Sequence, residues 1–161
     1  MGIIAKLHYE ENSYNVIEAE YGIRQKIDES GKPSSAPTFT GLEVVLEASR
    51  DNTFFEFATQ AQNKIQKLVL EYVPSIQGGK SRRITFYDCH VVYNHQGFKH
   101  QSEQPMQETI IITAGGVQDS ASSAEYSTYW RKTFGQTEAS SSEEKGNSEQ
   151  PKELKVKAKL S

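Results

Sequence analysis

The chain of 161 residues contains a single cysteine, Cys89. One thiol excludes an intrachain disulfide, and it cannot by itself supply a cysteine-based zinc site. Cys89 lies within the run Ile84–Tyr93, which is typical of a strand, and a free cysteine there is usually a buried apolar side chain. We therefore expect a structural thiol.

Long apolar runs are also absent. No stretch of the sequence approaches the roughly 20 apolar residues that span a bilayer. The start of the chain, Met1–Lys6, lacks the basic residues and the long apolar run of a signal peptide. The sequence therefore predicts no membrane insertion, synthesis in the cytoplasm, and any secretion by a route without a cleaved signal peptide.

Neither sign of charge dominates the composition. The chain has 18 Lys and Arg against 21 Asp and Glu, a formal net charge of -3. Nucleic-acid phosphates attract a concentrated basic face, so this balance argues against a nucleic-acid partner. Hydrophobic residues make up 35% of the chain, which favours one domain with a modest core and a stretch of chain outside it.

Motifs that carry catalysis or ligand binding are missing. No HExxH, CxxC, GxSxG, Walker or GxGxxG spacing occurs. His95 and His100 share a polar connection, but no matching carboxylate or thiol pattern accompanies them. Cys89 and His90 are neighbours on a predicted strand, so their side chains point to opposite faces and cannot form a dyad. The sequence thus predicts a non-enzymatic protein with no cofactor and no metal.

One aromatic cluster leaves two interpretations open. Trp130, with Tyr126 and Tyr129, could form a platform for a sugar or a base. Such clusters more often anchor a chain end against the core, and we expect that role here.

Alternation of apolar and polar residues indicates strands along most of the chain. The segment Leu42–Ala48 is a clear example. Its residues Leu42, Val44, Leu46 and Ala48 point to one face, and Glu43 and Glu47 point to the opposite face. About seven such segments favour an all-β fold. The pattern is that of a sandwich or a barrel, with one short flanking α-helix and a flexible C-terminal extension. A bend near Asp88 is expected inside the strand-like run Ile84–Tyr93, and Gly115-Gly116 is expected to stop the late strand Met106–Ala114.

The segment Asp51–Ala61 has helical instead of alternating spacing. Its apolar residues recur on one stripe, and Thr53 with Glu56 matches a capping box, with Asp51 and Asn52 as alternative caps. Such a short amphipathic helix must cover a sheet edge or a barrel mouth.

The composition changes near residue 135. We predict a folded all-β domain over 1–134 and a flexible extension over 135–161. Its first part, Gly135–Gln150, is rich in Ser, Glu, Gln and Gly, as in a linker. The stretch Glu153–Leu160 alternates apolar residues with lysine, which indicates either an added strand or a solvated basic tail, and the tail is favoured.

Several segments, in order, resemble the Bacteroidetes-type tube proteins (Hcp, also TssD) of type VI secretion systems. The run from Asp28 to Ser35 matches the pattern D-x-x-G-[RK]-P-S-S, and Phe55-Glu56-Phe57 stands where the family often has Phe-Glu-Trp. The likeness covers roughly residues 3 to 134 and continues through Ile84–Val92, Gly97-Phe98, Pro105-Met106 and Thr109–Ala114.

The resemblance implies a structural function. Family members are small β-barrels with a helix at one side that form six-membered rings, and the rings stack into a tube inside a contractile sheath. For residues 1–134 the resemblance implies a small β-barrel of two packed antiparallel sheets. The tube is expelled with a spike protein (VgrG) at its tip, and effectors can travel in its lumen. The long loop after the second strand commonly packs between subunits and rings, which here implicates Asp28–Thr40. The candidate interface residues are Asp28, Gly31, Lys32, Pro33, Ser34, Ser35 and Pro37.

Two alternatives stay open. A monomeric β-barrel that binds a small ligand or a peptide at the barrel mouth near Trp130 would have a similar strand pattern. A virus-tail tube subunit would share the architecture. The segment after Gly135 departs from the short family members.

Overall fold

The computed structural model describes residues 2–60, 62–103 and 105–135. The predicted all-β architecture with one short helix is confirmed. The predicted linker and basic tail lie outside the described residues, which end at Gly135. The elements in chain order are β1 (Ile3–Tyr9), β2 (Asn12–Arg24), β3 (Thr38–Glu47), α1 (Thr53–Thr59), β4 (Ile65–Pro74), β5 (Arg82–Phe98), β6 (Met106–Thr113), β7 (Gly116–Asp119) and β8 (Glu125–Ser127).

The strands close into a barrel. Their order is β4-β1-β2-β3-β6-β5, and a further pairing of β4 with β5 completes the ring of hydrogen bonds. Every pairing is antiparallel. The two packed layers expected from the sequence are therefore halves of one continuous closed sheet. The short strands β7 and β8 extend this sheet beside the first half of β5.

Alternation along the strands fills the barrel interior as predicted. On β3, Leu42, Val44 and Leu46 are buried, while Glu43 and Glu47 face outward. Burying an aliphatic side chain of this size contributes roughly 1.5–3 kcal/mol, so the core holds the barrel together. The other strands supply Leu7, Tyr14, Ile65, Leu68, Leu70, Ile84, Phe86, Cys89, Val91, Ile110, Ile112 and Val117.

Helix α1 covers one end of the barrel. It begins at Thr53 and ends at Thr59, and Phe54 is buried against the Tyr14 ring at a centroid distance of 5.0 Å. The predicted capping box, with Thr53 as the N-cap residue, is not observed, because Thr53 is already the first residue of the helix. Instead, the Asp51 carboxylate accepts a hydrogen bond from the Thr53 N–H (3.0 Å).

Strand β5 bends where its sequence interrupts the apolar pattern. Asp88 has a left-handed backbone with φ of 52°, and the register shift against β6 falls between Val91 and Tyr93. As expected, the late strand stops before Gly115-Gly116, because β6 ends at Thr113. A further short strand, β7, which the sequence did not predict, starts at Gly116 and pairs with the first half of β5.

Candidate assembly surfaces

A hairpin-like arm projects from the barrel between β2 and β3. We define the arm as residues 25–37. Its tip is closed by Asp28, whose Oδ1 accepts hydrogen bonds from the Ser30 N–H (2.8 Å), the Ser30 hydroxyl (2.6 Å) and the Lys32 N–H (3.1 Å). These bonds, first the one from the Ser30 hydroxyl, hold the pKa of the Asp28 carboxyl below its usual value. Gly31 completes the turn with φ of 88°, a conformation that glycine adopts without strain.

The two limbs of the arm are joined to each other. Ile27 and Pro33 form an isolated antiparallel bridge, and the Ser34 N–H donates to the Lys26 carbonyl (2.7 Å). The Ser35 hydroxyl in turn accepts from the Lys26 N–H (2.8 Å). Because Pro33 has one allowed φ, little backbone freedom remains to be lost when the arm docks. The arm is therefore pre-organised by its own bonds.

The arm is exposed along its length, including an apolar side chain. Residues 25–34 are all solvent-exposed, and Ile27 retains 69% of its accessible surface. The predicted interface residues fall into three places. Asp28, Gly31 and Lys32 form the tip, Pro33, Ser34 and Ser35 form the returning limb, and Pro37 lies at the base. A rigid, protruding hairpin that presents an isoleucine is suited to contact another surface.

Pro37 helps to line an apolar groove at the foot of the arm, which we call the basal groove. Its walls are formed by Tyr21, Ile23, Val117 and Tyr126. The Arg82 Nε atom bonds Asp119 at its rim, with distances of 3.0 and 3.2 Å to the two carboxylate oxygens. Trp130 does not line this groove and instead lies beside the His90 ring at 5.7 Å.

The sequence did not predict a further feature, a strap formed by residues 128–135. It is held by the Asp88 carboxylate, which is fully buried. Asp88 Oδ2 accepts from the N–H groups of Lys132 (2.7 Å) and Thr133 (2.8 Å), while Oδ1 accepts from the Thr133 hydroxyl (2.8 Å) and Lys64 Nζ (3.1 Å). Burial by itself raises the pKa of this carboxyl, but the four bonds outweigh it and lower the pKa to about 2.

Arg131 fastens the same strap from the other side. Its side chain is buried, forms an ion pair with Glu125, and donates from Nε to the Thr133 carbonyl (2.8 Å). The guanidinium carbon lies 4.6 Å from the centre of the Tyr87 ring and 4.2 Å from that of Phe134. This stacking between two aromatic faces is a cation–π arrangement that suits arginine better than lysine.

The glycines between β6 and β7 make room for this strap. A Cβ atom on Gly116 would lie 2.4 Å from Arg131 Nε, and one on Gly115 would lie 3.0 Å from the Trp130 ring. We expect Gly116→Ala to lower the free energy of unfolding by about 1–3 kcal/mol, because the arginine would have to leave its bonded position. Urea denaturation measures the change.

Gly97→Ala is the matched control for this substitution. Gly97 also lies in a strand, but its added Cβ would meet only His95 Nε2 at 3.8 Å. We expect a change within about 0.5 kcal/mol, in either direction, since a lost glycine also restricts the unfolded chain. Equal losses for both variants would contradict the close-approach explanation.

The sequence did contain a signal for Asp88, because a carboxylate in the middle of an apolar strand breaks the alternation. No comparable signal marked Arg131, since it lies in a short polar segment without periodicity. Cys89 is buried, and burial raises the pKa of its thiol. Among the described residues, no three His, Cys, Asp or Glu side chains are grouped as metal ligands, and no helix is long and apolar enough to cross a membrane.

These surfaces define a class of protein: a small closed β-barrel whose distinctive features are an outward arm and outer grooves. Comparison with known families identifies the family. The model for "Hemolysin coregulated protein Hcp (TssD)" matches residues 1–131. The chain therefore belongs to the Hcp (TssD) family, the tube proteins of type VI secretion systems.

Solved structures share the fold. Hcp1 from Flavobacterium johnsoniae superimposes with a TM-score of 0.70 at 21% identity, over 78% of this chain and 99% of that one. Hcp1 from Salmonella typhimurium gives a TM-score of 0.61 at 16% identity, over 74% and 85%. A structure described as a type six secretion system protein gives 0.61 at 15%, over 73% and 83%. A search of the curated proteins finds no significant match.

Proposed function

We propose that this protein is a non-enzymatic structural subunit of a type VI secretion tube, which assembles as hexameric rings that stack into an expelled tube. Membership of the Hcp family supports the tube role. The pre-organised arm also supports this role, because it holds the Ile27 side chain in solvent with 69% of its surface exposed. An isoleucine held outward on a hydrogen-bonded hairpin gains from burial only when another surface covers it.

A ring of this kind uses heterologous contacts, in which one surface of a subunit meets a different surface of the next, while stacking is open-ended. In this proposal the arm supplies one side of such a contact, with Asp28, Gly31 and Lys32 keeping its tip in shape and Pro33, Ser34, Ser35 and Pro37 forming its limb and base. The tube would lie inside the contractile sheath, carry the spike at its tip, and hold effectors in its lumen. It would be made in the cytoplasm and leave it without a cleaved signal peptide.

The mass of the purified protein in solution tests the proposal. We expect light scattering to give a hexameric mass and negative-stain images to show rings. A monomer across a wide range of concentrations, together with saturable binding of a small ligand or peptide, would contradict the tube assignment and favour a binding module.

A further inference from the structure

Glu108 places a carboxylate inside the barrel, at the end that helix α1 covers. The inward positions of β6 are Glu108, Ile110 and Ile112, and the two isoleucines belong to the barrel core. Only 7% of the Glu108 surface is exposed. Its ladder partner is the buried Leu46, one residue before the end of β3. The barrel therefore holds an ionisable group where its strand pattern calls for an apolar side chain.

No cation compensates this carboxylate in the part of the chain that the structure describes. The Gln96 amide on β5 donates to Glu108 Oε2 (3.1 Å), and none of the ion pairs among residues 2–60, 62–103 and 105–135 includes Glu108. Burial is the largest cause that raises the pKa of the Glu108 carboxyl, and hydrogen bonds from amide side chains on β5 act in the opposite direction. A buried carboxylate that ionises without a cation loses more hydration energy than neutral amides return.

A second carboxylate acts on the first. Asp51, in the connection between β3 and α1, accepts hydrogen bonds from the Thr53 N–H (3.0 Å), the Thr53 hydroxyl and the Tyr14 hydroxyl. These bonds, first the one from the Thr53 hydroxyl, lower the pKa of Asp51, so this group stays ionised in neutral solution. Its negative charge adds to the rise in the pKa of Glu108. Ionisation of Glu108 would thus place two like charges at one end of the barrel.

The elements around Glu108 supply no positive charge among the described residues that could relieve this repulsion. Strand β2 contributes Tyr14, and burial raises the pKa of its hydroxyl to about 12, so it stays a neutral donor. Helix α1 contributes the buried Phe54. The charged or titratable residues that lie next along β3, β5, α1 and the connection before α1 are all exposed: Glu47, His95, Glu56 and Arg50.

Helix α1 is the element that can move in response. It has seven residues, which is too short for a helix to be stable by itself. Its attachment includes the Phe54 ring against Tyr14, with centroids 5.0 Å apart, and the Phe57 ring against Tyr9 at 5.7 Å. Such a segment opens at a smaller free energy than the whole barrel. Opening would let water reach both carboxylates and would remove the cost of ionising Glu108.

We propose that Glu108 makes the closure of this barrel end depend on pH. With Glu108 protonated, α1 and residues 48–52 stay closed on the barrel, and its ionisation loosens them. A carboxyl whose pKa is raised in the closed state contributes stability that is fully present below its ordinary value. That contribution is lost as the pH rises through the raised value. The loosened state exposes Phe54 and gives solvent access to the barrel interior.

Amide hydrogen exchange from about pH 5 to about pH 8 tests this coupling. After correction for the intrinsic effect of pH on exchange, we expect the protection of residues 53–59 to fall by about tenfold for each pKa unit that separates the closed and open states. The protection of core residues 42–46 should not fall with it. Glu108→Gln keeps the shape of the side chain but cannot ionise, so α1 should stay equally protected across the range.

Glu47→Gln is the matched control. Glu47 follows the ladder partner of Glu108 on β3 and lies at the same barrel end, but it is exposed. This variant should keep the pH dependence of the wild type. Carbon-13 NMR of the Glu108 carboxyl in the wild-type protein tests the same point without a substitution, and its titration midpoint should lie above the ordinary value of 4.5.

Several results would each overturn the proposal. The coupling is absent if the protection of α1 is the same at both ends of the pH range, or if its fall persists in Glu108→Gln. The buried carboxylate is not the cause if Glu47→Gln removes the fall as well, or if Glu108 titrates at or below its ordinary value. A parallel loss of protection in residues 42–46 would indicate global unfolding. Ring formation does not enter these readouts, so the result is independent of the tube assignment.

Discussion

Asp88→Asn is expected to lower the free energy of unfolding by about 2–4 kcal/mol. Asparagine has nearly the same shape and tolerates the left-handed backbone at this position, so the backbone is not the cause. The loss arises because one carboxylate oxygen becomes an N–H₂ donor facing the donors of Lys132 and Thr133. Urea denaturation at pH 7 measures the loss.

The same carboxylate should make the stability depend on pH. The pKa of Asp88 in the folded protein is lowered from 3.8 to about 2. A lowered pKa contributes stability that is fully present above the unfolded value and is lost as the pH falls through the folded value. The difference in stability between wild type and Asp88→Asn should therefore shrink as the pH falls from about 4 to about 2. A difference that stays constant over this range would contradict the assignment of the buried charge.

Asp119→Asn is the control for Asp88→Asn. Asp119 is also a strand carboxylate with a lowered pKa, and its hydrogen bonds with Arg82 are the largest cause. The pair lies at the surface, with the arginine side chain 54% exposed, so we expect a cost of at most about 1 kcal/mol. Equal losses at the two positions would show that burial of Asp88 is not what matters.

Ile27→Asp is expected to convert rings to monomers at concentrations where the wild-type protein is assembled. Covering this side chain contributes roughly 1.5–3 kcal/mol for each contact, so its loss, with an added charge, should weaken each contact on the order of 10- to 100-fold or more. The fold should be unaffected, because the side chain is 69% exposed. Light scattering over a dilution series measures the assembly, and circular dichroism checks the fold.

Ile76→Asp provides a matched control. Ile76 lies in the turn between β4 and β5, is 57% exposed, and receives the same chemical change. We expect it to leave the ring mass unchanged. If Ile27→Asp assembles as well as wild type, the arm is not an assembly contact. If both variants are monomeric, the effect is not specific to the arm.

Much of the barrel was predictable from local pattern. The alternation at Leu42, Val44 and Leu46 is a local property of consecutive residues, and a half-buried strand imposes it directly. The same holds for the helical spacing around Phe54. The order of the segments likewise supported the family assignment that the comparison confirmed, whereas the role of Asp28, Gly31 and Lys32 at an interface stays a prediction.

Other features could not be predicted from local pattern, because they depend on contacts between residues that are distant in sequence. The Asp88 carboxylate accepts a hydrogen bond from Thr133, which lies 45 residues later in the chain. The Arg131 side chain leaves no room for a Cβ atom at Gly116. Gly115-Gly116 could be read as the end of a strand, but the close approach of Trp130 and Arg131 to these glycines comes from a strap that lies later in the chain.

The sequence by itself thus determined the alternating strands of the sheet, the one helix, and the inward faces of strands such as β3. Tertiary structure alone decided that one sheet closes on itself, that β7 and β8 extend it, and that a buried carboxylate holds the strap of residues 128–135. The physical reason is that periodicity reports the local contrast between water and core. Closure is set by register between strands, and buried pairing by contacts between distant residues, neither of which a single strand encodes.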